Sequence, residues 1–280
     1  MSIRPTRAAL EAIFPAHESR ESFAPGRRQF RELHLYHGNR CNRACDFCTV
    51  EGEPAGWHQP FAPETLDAVR EWLAVDGNLK IYGGEPTLDL PNLRGSMAYL
   101  RRAGFRGWFT LFSNGVLAER VLALLRQDER SEVVLNGSIL LGLDAEPLPL
   151  SSLAQLTAFA GAHPGRLFRS HTEMVPVGRQ AGRNGHAPAF GGDCPRCHPA
   201  LTSRGLLHAC PFAVEETGGR YDLGSIALTA EAAVDAYERF REWIQREVEP
   251  AARRAGRAPC VECVAQARRA PALIPAEALA

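Results

Sequence analysis

From Arg31 to about Thr172, short apolar runs alternate with amphipathic helical stretches, and no other feature of the 280 residues constrains the fold as tightly. Candidate strands are Glu32–His37, Leu79–Tyr82, Gly107–Phe112, Val133–Leu141 and Arg166–Met174. Helical spacing lies between them: about Glu64–Val75, where Leu66, Val69 and Leu73 share a face, then Leu93–Ala103, Leu117–Arg126 and Ser152–Ala160. Repeated strand–helix units joined by short loops predict an α/β fold, a parallel sheet with helices packed outside it. Loops at the carboxyl ends of such strands are where chemistry is placed.

The pattern changes after Pro176. Residues 177–193 are polar and Gly-rich with no periodicity, and read as a linker or active-site loop. A hairpin-like stretch follows, Ala200–Phe212 turning at Arg204–Gly205, then a helical pattern around Glu231–Val248 and a loosely patterned tail after Val264. The division predicted is 1–30 as an N-terminal extension, 31–190 as the barrel-like core and 191–280 as a small α+β C-terminal domain.

Lys plus Arg and Asp plus Glu both number 32, which leaves no net charge to recruit nucleic acid or an anionic membrane. No apolar run approaches the ~20 residues that span a bilayer. The Arg-rich start lacks the apolar centre of a secretory signal, so the expected location is cytoplasmic. In a reducing compartment, clustered cysteines are metal ligands or catalysts more often than disulfides. The eight fall in three groups: Cys41, Cys45 and Cys48; Cys194, Cys197 and Cys210; Cys260 and Cys263.

The first group follows the first strand. Three thiolates on one loop can bind a four-iron cubane while leaving one iron without a protein ligand, whereas such clusters are normally closed by four cysteines. The other readings are a zinc site completed by His34 or His37, or three thiols without metal. At the end of the second strand stands Gly83-Gly84-Glu85-Pro86, whose glycines permit a close backbone approach and whose acceptors suit a cationic amino group. Ser113-Asn114 ends the third strand and can bond sugar hydroxyls, although Ser and Asn are equally helix caps and turn residues.

In this order the motifs resemble the radical S-adenosylmethionine superfamily: Cys41, Cys45, Phe47 and Cys48 match its CX3CXΦC loop, and Gly83, Gly84, Glu85 and Pro86 its GGEP element. The resemblance covers roughly Arg31 to Met174 and implies an open partial (β/α) barrel of TIM type with a [4Fe-4S] cluster. It further implies S-adenosylmethionine chelated at the open iron, its amino group on the GGEP element, its ribose on Ser113 or Asn114, and an electron donor of flavodoxin or ferredoxin type. Leu141–Asp144, taken as the end of the fourth strand, resembles the family's "SLD" element with Gly142 in place of Ser, which makes Asp144 a nucleotide-contact candidate. The sixth strand of the family's core is missing, or lies near Val175–Arg179. His171, Glu173 and Arg179 face either substrate or a solvated edge.

The later cysteines resemble the twitch form of the SPASM extension, in which Cys194, Gly205 and Cys210 open the pattern and Cys260 and Cys263 close it. That resemblance implies an auxiliary [4Fe-4S] cluster. Cys197 is surplus to it, and Cys194 and Cys197 with Cys260 and Cys263 equally make a four-thiolate zinc site. The function expected is reductive cleavage of S-adenosylmethionine and hydrogen abstraction from a peptide undergoing oxidative maturation. Dehydrogenation of a small alcohol is the alternative, and a two-cluster electron carrier or a zinc-stabilised binding protein the rivals from other classes.

Overall fold

Phe30–Tyr36 (β1) carries apolar residues on one face and Glu32, His34 and Tyr36 on the other, and it becomes an inner strand of an eight-stranded sheet. The computed structural model describes residues 4–18, 27–143, 145–170, 179, 198–215, 219–267 and 269. The other strands are Leu73–Tyr82 (β2), Trp108–Ser113 (β3), Ser131–Leu135 (β4), Leu167–Arg169 (β5), Ala200–Thr202 (β6), Leu206–His208 (β7) and Asp222–Ser225 (β8). Their spatial order is β5-β4-β3-β2-β1-β6-β7-β8, an open sheet, parallel from β5 through β6 and antiparallel beyond.

Helices follow the strands as the pattern predicts. Arg7–Ile13 is α1, Pro63–Trp72 α2, Leu90–Arg102 α3, Ala118–Gln127 α4, Gly137–Leu141 α5 and Leu150–Ala162 α6. Leu33, Leu35, Leu79, Ile81, Phe109, Leu111, Val133 and Leu135 form one core with Leu66 and Val69 of α2 and the inward residues of α3, α4 and α6. Because side chains alternate along a strand, the opposite face carries Glu32, His34, Asn78, Lys80, Thr110 and Glu132, all buried. They are joined: Lys80 Nζ lies 2.6 Å from Glu32 Oε1, and the Thr110 hydroxyl 2.9 Å from Asn78 Oδ1 and 2.8 Å from Glu132 Oε1. Above this polar layer, toward the carboxyl ends, Tyr36 and Tyr82 pack with Phe112 and Trp57.

One expectation needs correction. The fourth strand ends at Leu135, not Leu141. Asn136 accepts a hydrogen bond from the Ile139 N–H at 3.1 Å and starts α5, which Gly142 closes in the left-handed region at φ 70°. Leu141–Gly142 is therefore the end of a helix rather than of a strand; Asp144, Cys194, Cys197, His171 and Glu173, with residues 175–178, lie outside the described residues. The described strands of the 191–280 segment join the same sheet as β1 to β5. The predicted hairpin forms β6 and β7, with Gly205 in the turn at φ 78°, but β6 pairs in parallel with β1. Ala230–Trp243 (α7) packs on α2, and the Trp72 indole donates to the Leu228 carbonyl at 3.1 Å. A π-helical turn over Ile244–Val248 leads into Glu249–Ala255 (α8) and Pro259–Ala267 (α9).

The N-terminal segment is structural. His17 N–H donates to Arg169 O at 2.9 Å and Arg169 N–H to Pro15 O at 3.0 Å, so residues 15–17 cover the outer edge of β5.

Candidate functional site

The loop with Cys41, Cys45 and Cys48 leaves the carboxyl end of β1 beside the ends of β2 and β3. Its seat is the Gly83-Gly84 turn. Gly84 N–H donates to Gly38 O and Glu85 N–H to Arg40 O, both at 2.9 Å. A Cβ on Gly84 would lie 2.2 Å from Arg40 O, and one on Gly83, at φ 159°, 2.5 Å from Gly38 O. The two glycines thus admit the backbone of the cysteine loop itself.

Glu85 is fully buried at 0% exposure. Its carboxylate accepts from Thr87 N–H at 3.1 Å, the Thr87 hydroxyl at 2.6 Å, the Ser113 hydroxyl at 3.0 Å and Asn114 N–H at 2.7 Å. Burial pushes its pKa up, and the bonds from Thr87, Asn114 and Ser113 pull against that shift. Pro86 opens the 3-10 turn that follows, with Glu85 as its cap. Glu85, Ser113 and Asn114, three of the residues singled out by motif, are therefore bound to one another. Asn114 also donates from Nδ2 to Asn42 Oδ1 at 2.7 Å and to Cys41 Sγ at 3.6 Å.

Cys41, Cys45 and Cys48 are free thiols, and Phe47 packs on the main core beside Cys45. Burial pushes Cys41 up to about 11 and raises Cys45 too, with Cys48 opposing the ionisation of both. Bare thiolates at Cys41 and Cys45 are thus unfavourable here, and a cationic metal centre reverses that balance. Among the described residues no three Cys, His, Asp or Glu side chains are gathered as a ready-made metal site. The donor chemistry nevertheless fits a cluster: soft thiolates on one loop, with Gly52 N–H donating to Cys48 Sγ at 3.1 Å and Asn114 to Cys41 Sγ.

Neither histidine considered as a zinc ligand joins the thiols. His34 lies on the inner face near Glu32, with Nε2 3.4 Å from Oε1. His37 Nδ1 meets His58 Nδ1 at 3.0 Å, and His58 Nε2 meets Asp89 Oδ2 at 2.7 Å. This carboxylate–histidine–histidine chain, spread over 53 residues of sequence, carried no local signal. Nor did Glu215, which receives the Tyr36 hydroxyl and, at 3.2 Å, the Trp57 indole N–H, fastening the segment after Cys210 over the first loop.

Of the five later cysteines, Cys210, Cys260 and Cys263 are described. Cys260 and Cys263 sit one turn apart on α9, buried in the core. Tyr221 stands between them and Cys210: its hydroxyl is 3.5 Å from Cys263 Sγ and its carbonyl accepts from Ala209 N–H at 2.8 Å.

No protein family matches the chain, and no curated protein matches it significantly. Solved structures do. The chain is 14% identical to BtrN in complex with AdoMet and 2-DOIA, with TM-score 0.54, over 76% of this chain and 86% of that one. It is 14% identical to native anSMEcpe with bound AdoMet, with TM-score 0.52, over 75% and 83%. For anSMEcpe with AdoMet and the Cp18Cys peptide the identity is 15%, the TM-score 0.52 and the coverage 75% and 82%. In fold, this chain is an open α/β partial barrel like those of these AdoMet-bound structures.

Proposed function

We propose that the chain is a radical S-adenosylmethionine enzyme. The observation that carries this reading is the union of three strand ends at one place. The CX3CXFC loop after β1 is seated on Gly83–Gly84 after β2, and Glu85 binds Ser113 and Asn114 after β3. The likeness to AdoMet-bound structures supports it.

Cys41, Cys45 and Cys48 would hold the cluster, with Gly52 N–H and Asn114 Nδ2 on its sulfur ligands. The Gly83 and Gly84 carbonyls would accept the ammonium of S-adenosylmethionine, since Glu85 is committed to its protein donors. Ser113 and Asn114 would act chiefly by shaping the rim. When bound, cluster and cosubstrate supply one-electron cleavage and a 5'-deoxyadenosyl radical. Tyr36, Tyr82, Phe112 and Trp57 line the interior below and exclude water from it.

The reaction proposed is oxidative modification of a peptide, a reading supported by the likeness to anSMEcpe, whose structure holds a Cp18Cys peptide. The likeness to BtrN, bound to 2-DOIA, at TM-score 0.54 supports dehydrogenation of a small alcohol as the second reading. Cys210, Cys260 and Cys263, with Cys194 and Cys197, would hold an auxiliary [4Fe-4S] cluster. A flavodoxin- or ferredoxin-type protein would deliver the electron, in the cytoplasm. Among the described residues, no helix is long and apolar enough to cross a membrane.

The test is anaerobic reconstitution with iron and sulfide, then dithionite and S-adenosylmethionine. 5'-Deoxyadenosine should form, and Cys45→Ala should abolish it. A loaded cluster without cleavage favours the electron carrier; zinc alone favours the binding protein.

A further inference from the structure

Arg179 comes from the stretch between β5 and β6, far in sequence from the first cysteine loop, yet its guanidinium is spent on that loop. Nε donates to Cys45 O at 2.9 Å, Nη1 to Glu51 O at 3.4 Å and Nη2 to Gly52 O. Its backbone N–H donates to Cys48 O at 3.1 Å. Half-buried, this one side chain grips both ends of the segment 45–52.

That segment contains a residue in a costly conformation. Glu51 has φ 53°, and it is the one non-glycine with positive φ among the described residues. Such a conformation persists where its surroundings over-determine it. Here Arg179 takes the carbonyls of Glu51 and of Gly52, and the turn so held points Gly52 N–H at Cys48 Sγ, 3.1 Å away. The fork geometry of a guanidinium suits two neighbouring carbonyls, and a lysine cannot reproduce it. Each of these hydrogen-bond partners is a carbonyl oxygen, and the Arg179 charge favours the thiolate of Cys45, against Asp46.

We infer that Arg179 is a positioning residue: it holds the 45–52 turn so that Gly52 N–H is aimed at the Cys48 sulfur, and its charge raises the reduction potential of whatever cluster the loop binds. Hydrogen bonds to the sulfurs and nearby charge are the levers by which a protein tunes such a centre. This inference rests on the radical S-adenosylmethionine reading for its second half only.

Arg179→Ala and Arg179→Lys test it with two measurements. The first is amide hydrogen exchange on the metal-free protein. In Arg179→Ala the peptide spanning 45–52 should exchange about tenfold faster, a change of about 1.4 kcal/mol in opening, while peptides of α9 keep the wild-type rate. The second is an electron-paramagnetic-resonance redox titration of reconstituted protein. Arg179→Ala should titrate at a more negative potential, whereas Arg179→Lys, which keeps the charge but not the fork, should loosen the turn and titrate between wild type and Arg179→Ala. Wild-type exchange over 45–52 in Arg179→Ala overturns the inference, as does faster exchange that extends equally to α9, or an unchanged potential with a loosened turn. If the wild type loads no iron, the functional reading falls and the exchange experiment still decides the role of Arg179 in the loop.

Discussion

The Glu85 carboxylate receives the Ser113 hydroxyl at 3.0 and 3.1 Å, and this buried contact ties the end of β2 to the end of β3. Every neighbour of that carboxylate is a donor. Glu85→Gln keeps the shape but sets an NH2 group against N–H and O–H donors. The expected cost is about 2 kcal/mol, read as a lower urea midpoint of the metal-free protein, with weaker iron retention. A variant as stable as wild type would show that the site tolerates a donor.

Gly84→Ala is expected to be worse for the loop than for the barrel. Its Cβ would lie 2.2 Å from Arg40 O and 2.4 Å from Asn39 O, so the cysteine loop must move. Overpacking of this kind costs about 1–3 kcal/mol. Iron bound after reconstitution should fall sharply while far-ultraviolet circular dichroism stays native. Full iron loading in this variant would contradict the seat described for the loop.

Stability should fall as the pH drops below neutrality. Burial holds both His34 and His37 at about 3 in the folded chain, against an ordinary 6.5. The folded values are depressed, so the unfolded chain takes up protons first, and stability present above pH 6.5 is lost on the way down toward 3. Each histidine contributes a slope of up to about 1.4 kcal/mol per pH unit. Glu32 acts in the same direction at lower pH. Burial alone would raise its pKa, but His34, His198 and Lys80 hold it well below the usual carboxylate range. Denaturation curves of metal-free wild type and His37→Gln at pH 7, 6 and 5 should converge as the pH falls; parallel curves would remove His37 from the account.

The second cysteine group makes a separate prediction. Wild type should bind the iron of two cubane clusters, and Cys263→Ala that of one, with the remaining absorbance and resonance signals belonging to the first loop. Zinc in place of the missing iron in wild type would return the second group to a structural site.

Much of this was readable in the chain. The helices α2, α3, α4 and α6 were predicted to within a few residues because each has a long apolar stripe, and β1 and β3 because they are bounded by polar loops. The fourth strand was overrun. Ile139-Leu140-Leu141 continues the apolar run of Val133–Leu135, and five residues are too few to display a helical period. The motif residues Gly83, Gly84, Glu85, Ser113 and Asn114 are legible as ligand-contact candidates, and the structure adds an internal fastening that motif spacing does not announce. Motif spacing reports which residues belong together and is silent on which way each side chain turns. Arg179 and Glu215 reach the first loop from 127 and 158 or more residues away, and such pairings leave no periodic trace.

The position of β6 has a consequence for synthesis. β1, the strand that launches the cysteine loop, has β2 on one side and β6 on the other, and β6 is Ala200–Thr202. A ribosome that has delivered the first half of this chain has therefore made a barrel strand with one raw edge. That edge can pair with a stray strand until Ala200–Thr202 emerges. A group bound by the cysteine loop before this moment would sit on a half-walled shelf, so the emergence of Ala200–Thr202, rather than completion of the loop, sets the earliest time at which it can be sheltered.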